Sequence, residues 1–429
     1  MNLCKKVFCK YPSILSHGLI AVFLAVAIIL SLSLSFSDDS NLLKGKVFID
    51  LNENGKQEDS EPGVENVLIT DGKMLTRTDE KGSFVFQSNN ASYIWLSLPP
   101  ALKAKKSHFY PIETQCPSYD FPVVKANLTA KGKEKTLIFM ADLHLRDESF
   151  IKENLQKVAA KINPLKPEVV FILGDLVDRA YIDDQATAET KFALINAFRK
   201  SLSAPSYCLV GNNDTVGWRR TDQRESNNPL YGKKMFEKYI GPRYYSINAA
   251  GFHIIALDDI QGKQLPRRKE YLGWIEKSQL KWLQEDLKNV PPDTHLIILS
   301  HIPYLTSSYC FSALANPNII DDIMYFQGRV ASGLYVANFD QLSELLKPFK
   351  KITFIAAHLH IFEKGEFNGI DRTINYFVCG SISAAAWRSN MPSLRPLTTN
   401  FAPGMMVAIC KNGEFIKVQY ETFDFFNDH

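Results

Sequence analysis

The sequence predicts an α/β (α+β) core of sheets flanked by helices, preceded by a small all-β, sandwich-like domain. Three observations predict it. From Lys135 onward, short continuous apolar runs alternate with stretches of helical spacing, the pattern of strands covered on both faces and helices packed against them. Residues 41–100 instead alternate and turn, with Gly55, Gly63, Gly72 and Gly82 as punctuation, as short antiparallel strands do. Finally, several apolar runs of the second half end in Asp, Asn or His, at the strand edge where open α/β sheets bind their ligands.

The chain begins with Lys5, Lys6 and Lys10, followed by an uncharged apolar run from Gly18 to about Phe36, and its first acid is Asp38. Residues 1–37 read as a secretory signal peptide or a retained N-terminal membrane anchor, since the run is near the ~20 residues that span a bilayer. The lysines favour an N-terminus kept inside and the remainder exported, to the periplasm or the cell surface, with membrane association through residues 18–36 if the segment stays. The whole chain has 429 residues, 45% hydrophobic and 22% charged, a globular composition with room for two or three domains. Its net charge of +3 comes from the three N-terminal lysines; without them 46 basic residues face 46 acidic ones. No basic excess remains for a phosphate backbone, so nucleic acid is not expected as the main partner. The seven cysteines show no metal spacing. Cys208, Cys379 and Cys410 lie in apolar runs and read as buried thiols, while export would permit a disulfide whose pairing the sequence leaves open.

Residues 38–133 form the β module and a linker. "KGKVFID" and "GSFVFQ" read as strands, and a last strand or two falls in the proline-bearing tract after residue 100. Between the first two strands, "DLNENGKQEDSE" sets Asp50, Asn52 and Asn54 two residues apart, with Gly55 next and Glu61 at the twelfth position. That is the oxygen-ligand spacing of a calcium loop; a solvated acidic turn is the plainer reading. The flanks are strands, so the loop is no EF-hand, and it resembles the calcium-loop B-type repeats of bacterial surface proteins.

Residues 134–429 carry the strand–helix alternation. Strands are expected at "TLIFMAD" (136–142), "EVVFILGD" (168–175), "SYCLVGN" (206–212), "HLIILSH" (295–301), "ITFIAAHLH" (352–360) and "INYFVCGS", with hairpins over 244–258 and around Asn412-Gly413. Helices are expected from Phe150 to Ile162 and near 187–203, 277–288 and 338–348. Asp142, His144, Asp175, Asn212, His301, His358 and His360 all stand at or just beyond the ends of five of these strands. Singly each is an ordinary cap or core residue. Together they form an ordered set, DxH, GD, GN, H and HxH, of imidazole, carboxylate and amide donors that suits Mn, Fe or Zn better than calcium.

This set resembles the calcineurin-like metallophosphoesterase superfamily over roughly residues 135–420, and the β module and the "GSISAAAW…FAPGMMVAI" segment look like its exported bacterial members. The resemblance implies a two-sheet sandwich with a dinuclear metal centre that hydrolyses small phosphate esters, as a phosphodiesterase or phosphatase, through a metal-bridging hydroxide. By position, Asp142, His144 and His360 would hold one divalent or trivalent transition metal, and Asn212, His301 and His358 the other. Asp175 would bridge them. Asp178 stands where the purple acid branch has a tyrosine.

The chain departs from the family at "GNND", where the family reads Gly-Asn-His-Asp. Asn213 replaces a histidine that serves as general acid or charge stabiliser, and Asp214 would orient the residue before it. An amide has no proton to give at neutral pH, so a loss of about 10²–10⁴-fold is expected. The alternative to a slow esterase is a catalytically degenerate, metal-bearing binding or surface protein. Ala357 replaces a second family glycine. Arg179, in "GDLVDR", would grip phosphate or form a surface ion pair, and Arg146 reads the same way; Trp218 to Arg220, Tyr304, Trp387 and Arg388 would line the pocket or pack in the core.

Overall fold

The computed structural model describes residues 41–88, 90–113, 116–126, 132–219, 228–264, 269–304, 306, 324–383 and 402–424, and only the backbone of 148–153, 269, 324, 325 and 330. The apolar segment 18–36, Phe150 and Ile151 as side chains, Arg220, Trp387 and Arg388 lie outside this description. Among the described residues, no helix is long and apolar enough to cross a membrane.

Eight strands come first: β1 (Leu42–Ile49), β2 (Leu68–Thr70), β3 (Leu75–Arg77), β4 (Ser83–Gln87), β5 (Tyr93–Ser97), β6 (Leu102–Ala104), β7 (Phe109–Pro111) and β8 (Phe121–Lys125). They make two four-stranded sheets, β4-β1-β8-β6 and β3-β2-β5-β7. Alternate residues turn inward, so that Val47, Ile69, Phe84, Ile94, Leu96, Phe121 and Val123 form one apolar cluster. The tract after residue 100 supplies three strands rather than one or two. Two of them are only three residues long, too short for their periodicity to be read.

The second part runs β9 (Lys135–Met140), α1 (Glu148–Ile162), β10 (Val169–Ile172), α2 (Gln185–Ser201), β11 (Ser206–Cys208), α3 (Lys234–Tyr239), β12 (Tyr245–Ala249), β13 (Phe252–Ala256), β14 (Ile260–Gln264) and β15 (Lys269–Gly273). It continues with α4 (Lys277–Leu287), β16 (Leu296–Leu299), β17 (Met324–Phe326), β18 (Arg329–Ala331), α5 (Phe339–Leu346), β19 (Lys351–Ala356), β20 (Glu363–Asn368), β21 (Thr373–Val378), β22 (Gly404–Lys411) and β23 (Glu414–Thr422). Among the described residues these strands form two large sheets, β11-β10-β9-β22-β23 and β12-β13-β16-β19-β21-β20, and two two-stranded ribbons, β14-β15 and β17-β18. Strands β9, β10 and β11 are parallel, as are β13, β16, β19 and β21.

The period-2 alternation of the strands explains the layering. Phe139 and Phe171 stack at 5.3 Å and share one cluster with Ile254, Ile297 and Phe354 of the other sheet. Their neighbours Ile138, Met140, Val170 and Ile172 point the opposite way, onto Leu155, Val158 and Ile162 of α1 and Phe192 and Ile195 of α2. Both faces of these strands are therefore dry, and each large side chain buried there contributes on the order of 1.5–3 kcal/mol. Asp184 caps α2 by accepting from the Thr187 N–H at 2.8 Å. At the closing hairpin, Asn412 and Gly413 both adopt positive φ, 54° and 75°, as a two-residue turn between twisted strands requires.

The β module is fastened to the core through edge strand β12 and helix α4. The Asn248 amide nitrogen lies 2.9–3.1 Å from the carbonyls of Leu98, Pro99 and Leu102. Tyr244 Oη donates to Gly72 O at 2.8 Å, and Trp282 Nε1 donates to Ser97 Oγ at 3.2 Å. Cys208, Cys379 and Cys410 are buried free thiols, as their apolar runs predict. Burial pushes Cys208 up to about 11.

Candidate metal centre

The loops that leave β9, β10, β11, β16 and β19 meet at one end of the two sheets, and the seven predicted donors lie on them. Asp142, His144 and His360 form one compact group and Asp175, His301 and His358 another, each with its ligand atoms within 4.8 Å of one another. His144 Nε2 lies 2.9 Å from His360 Nε2 and 3.7 Å from Asp175 Oδ2. His360 Nε2 is 3.4 Å from Asp142 Oδ1. His301 Nε2 stands 3.1 Å from Asn212 Oδ1 and 3.4 Å from Asp175 Oδ1. Asp175 thus touches both groups, one through each oxygen.

Sharp backbone turns deliver these side chains. Asp142, His144, Asp175, His358 and His360 all have positive φ, between 44° and 71°, a conformation that strains non-glycine residues by about 1–3 kcal/mol each. The loops hold one another in that shape: His144 N–H donates to Asp175 O at 3.0 Å and Asp142 N–H to Gly174 O at 3.1 Å. Ala357 does not share the positive φ. Its N–H donates to His301 O at 2.9 Å, and the methyl group that replaces the family glycine is accommodated without backbone strain.

Several features fit a cation pair. His301 Nδ1 lies 2.8 Å from Leu173 O, which places the ring proton there and leaves Nε2 with a lone pair for the site. The buried atoms Asp142 Oδ1 and His358 Nε2 have no hydrogen-bond partner among the described residues. Such orphans are expensive unless a ligand meets them. Two nitrogens bound at ~2.1 Å and at right angles to one cation would stand ~3 Å apart, close to the separation of His144 Nε2 and His360 Nε2. The charges agree as well. Burial opposes a proton on His301, yet the carboxylates of Asp175, Asp142 and Asp259 push its pKa up to about 10; the cluster attracts positive charge. Burial, with His301 beside it, pulls His358 down to about 3, so this imidazole is a neutral donor.

Asn213 faces this centre, but in a particular way. Its N–H and side-chain amide donate to Asp175 Oδ1 and Oδ2, at 2.7 and 2.5 Å, and its Oδ1 accepts from Arg179 N–H at 3.1 Å. The structure attaches Asp214 differently from the sequence expectation. Its carboxylate accepts from the backbone of Gly211 at 2.7 Å and Val177 at 3.1 Å, so it holds the turn rather than the side chain before it. Arg179 reaches Asp178, as does Arg146. Trp218 and Tyr304 are buried, Tyr304 among Phe339 and Phe354, and Trp218 borders a cleft with Lys233, Glu237 and Arg243. Arg219 is engaged by Glu270 and lies over Tyr181.

A sixth strand end also carries polar residues. Asp258 and Asp259 follow β13 just as the ligands follow their strands, and the "ALDD" run carries the same signal. Asp258 binds Lys233 at 2.7 Å and Arg243 at 2.6 Å. Asp259 Oδ2 accepts from Ile302 N–H at 2.8 Å, pinning the residue beside His301.

In the β module, Asp50 and Glu61 are buried, at 2% and 3% exposure, unlike the acids of a solvated turn. Asp50 Oδ2 accepts from Gly55 N–H at 2.8 Å, and Asp50 Oδ1 has no partner among the described residues. Both Glu61 oxygens accept from loop N–H groups, those of Leu51 and Glu58. Asn52 and Asn54 turn their amide nitrogens to Glu58.

A cAMP/cGMP dual specificity phosphodiesterase of Mycobacterium tuberculosis is 24% identical over 219 residues, 50% of this chain and 55% of that protein. The chain thus spans little more than half the length of this curated relative. Among solved structures, a dimetal phosphatase of Danio rerio is 13% identical over 68% of this chain and 99% of its own, with a TM-score of 0.40. A purple acid phosphatase of yellow lupin, Lupinus luteus, is 11% identical over 83% and 67%, with a TM-score of 0.45. The family described as calcineurin-like phosphoesterase matches residues 135–362, which hold all seven clustered donors, and the chain belongs to that family.

Proposed function

We propose that this protein hydrolyses phosphate esters, as a phosphodiesterase or phosphatase, at a centre holding two transition-metal cations. The observation that carries this reading is the pair of donor groups joined through Asp175, with two buried donor atoms that make no hydrogen bond among the described residues. Asp142, His144 and His360 would hold one cation, Asn212, His301 and His358 the other, with Asp175 shared. Imidazole and carboxylate donors of this kind suit Mn, Fe or Zn. Two such cations supply Lewis acidity, which makes hydroxide available at neutral pH and neutralises charge on the phosphoryl oxygens.

The chain's own residues account for the rest. Asn213 offers an amide donor to Asp175 and has no proton for the leaving group. As an oxygen from water bonds to phosphorus and the ester P–O bond breaks, the departing alkoxide must take its proton from solvent. Esters with good leaving groups are therefore favoured. Arg179, paired with Asp178, adds positive charge that draws anionic esters toward the donor groups. The same amide also supports the second reading, a metal-bearing binding protein without turnover.

One experiment separates them: elemental analysis of the purified protein coupled to a screen of aryl monoesters, bis-aryl diesters and, following the mycobacterial relative, cyclic nucleotides. Two metals per chain with hydrolysis supports the esterase, and two metals without it the binding protein. A chain that takes up no metal sinks both.

Calcium in the Asp50, Asn52, Asn54, Glu61 loop is a separate proposal, supported by the buried acids and the unpartnered Asp50 oxygen. Export, with residues 18–36 as signal or anchor, rests on the sequence pattern described above.

A further inference from the structure

Asp178 stands at the centre of a charged cluster beside the metal ligand His144. Its Oδ1 is 3.7 Å from His144 Nδ1, while its Oδ2 is 3.1 Å from Arg179 Nε and 3.5 Å from Arg146 Nε. The carboxylate is 11% exposed, whereas the side chains of Arg146 and Arg179 are 61% and 58% exposed. The arginines come from different loops, those after β9 and β10, each just beyond metal ligands. Arg179 is keyed to the site a second time, through its N–H on Asn213 Oδ1.

Stability does not explain the arrangement. Surface ion pairs contribute about 0–1 kcal/mol, and a second guanidinium drawn to the same carboxylate meets the repulsion of the first. Among the described residues, one negative charge answers one arginine and the other positive charge is surplus. Both arginines approach Asp178 through Nε, which leaves the terminal nitrogens of these largely exposed side chains, the ends of the fork that matches phosphate and carboxylate, free of that contact.

We infer that Arg146 and Arg179 form a subsite for a second anionic group, so that the preferred substrate is an ester carrying another phosphate or carboxylate beyond the one hydrolysed. The inference rests on the phosphoesterase reading above and names its substrate class. His144 Nε2 faces the donor groups and its Nδ1 faces Asp178, so an imidazole ring and a carboxylate stand between the donor groups and the arginine pair. That arrangement fits two anionic groups carried on one body such as a sugar.

The test is equilibrium binding to the full-length, metal-loaded protein by calorimetry, comparing adenosine 3′,5′-bisphosphate with the 5′- and 3′-monophosphates. The wild type should bind the bisphosphate about tenfold or more tightly than either monophosphate, and Arg146→Gln should bring the ratio to within about twofold. Arg146→Lys, which keeps the charge and loses the fork, should fall between. A wild-type ratio near one, or a preference that survives Arg146→Gln, overturns the inference. If Arg146→Gln fails to hold its metals, the wild-type ratio is followed as ionic strength rises: collapse supports an ion-paired subsite and constancy refutes it. Intact preference without turnover of any ester would defeat the hydrolase reading alone. Turnover without preference would defeat the subsite alone.

Discussion

Gly211→Ala tests the centre without replacing any of the candidate donors. A Cβ built on Gly211 falls 2.1 Å from Asp175 N and 2.2 Å from Asp175 Oδ1. The φ of Gly211 is −105°, which alanine adopts freely, so the whole effect is one of space. Non-bonded heavy atoms need roughly 3.3 Å, and one of the two loops must retreat by about 1 Å. Overpacking of this kind costs about 1–3 kcal/mol, which a protein with cores this large should survive folded. Metal–ligand distances, however, tolerate only ~0.2 Å. A 1 Å displacement of the carboxylate shared by both groups should therefore release at least one cation, and misplacement on that scale costs on the order of 10²-fold in rate. Elemental analysis after dialysis, turnover of an aryl phosphate and thermal melting measure the three quantities separately. A folded Gly211→Ala protein with two metals and wild-type turnover would refute the idea that Asp175 ties the centre together.

Three further outcomes are expected. Asn213→His should raise turnover of alkyl esters more than of aryl esters, by up to about 10²-fold; equal or absent gains in steady-state assays would mean that another group protonates the leaving oxygen. His108 is buried between Tyr207 and Tyr245 with both ring nitrogens unpartnered among the described residues, and burial pulls its pKa from 6.5 down to about 3. The unfolded chain takes up this proton near pH 6.5 and the folded one only near 3, so stability is full above that window and falls by about 1.4 kcal/mol per pH unit within it. Denaturant titrations from pH 7 to 4 should show a shallower decline for His108→Phe than for the wild type, and parallel curves would count against the burial argument. Calcium should raise the melting temperature of the wild type and leave that of Asp50→Ala unchanged; a wild type indifferent to calcium would return the loop to an ordinary turn.

Much of the site was legible because strands end abruptly. A run such as "EVVFILGD" announces both the buried strand and the polar residue at its tip, and five such tips in order mark the seven candidate residues that the loops bring together. Asp258 and Asp259 carried the same mark and were passed over. Only the folded chain separates an acid that meets Lys233 and Arg243 from one that meets imidazoles. Asp214 was likewise visible, but its attachment was not, since the partners are backbone N–H groups that sequence does not rank. The short strands after residue 100 escaped because three residues carry no period.

The sequence by itself determined the alternation of strand and helix, the all-β module before it, the candidate ligand residues at the strand ends and the amide at Asn213, because these depend on local pattern and on side-chain chemistry. Tertiary structure decided the rest. It brought Asp175 into contact with both donor groups, turned the Asn213 amide onto that carboxylate, and gathered Arg146 and Arg179 on one buried Asp178. Each is a meeting of loops from different strands, and which loops meet depends on how the two sheets pack.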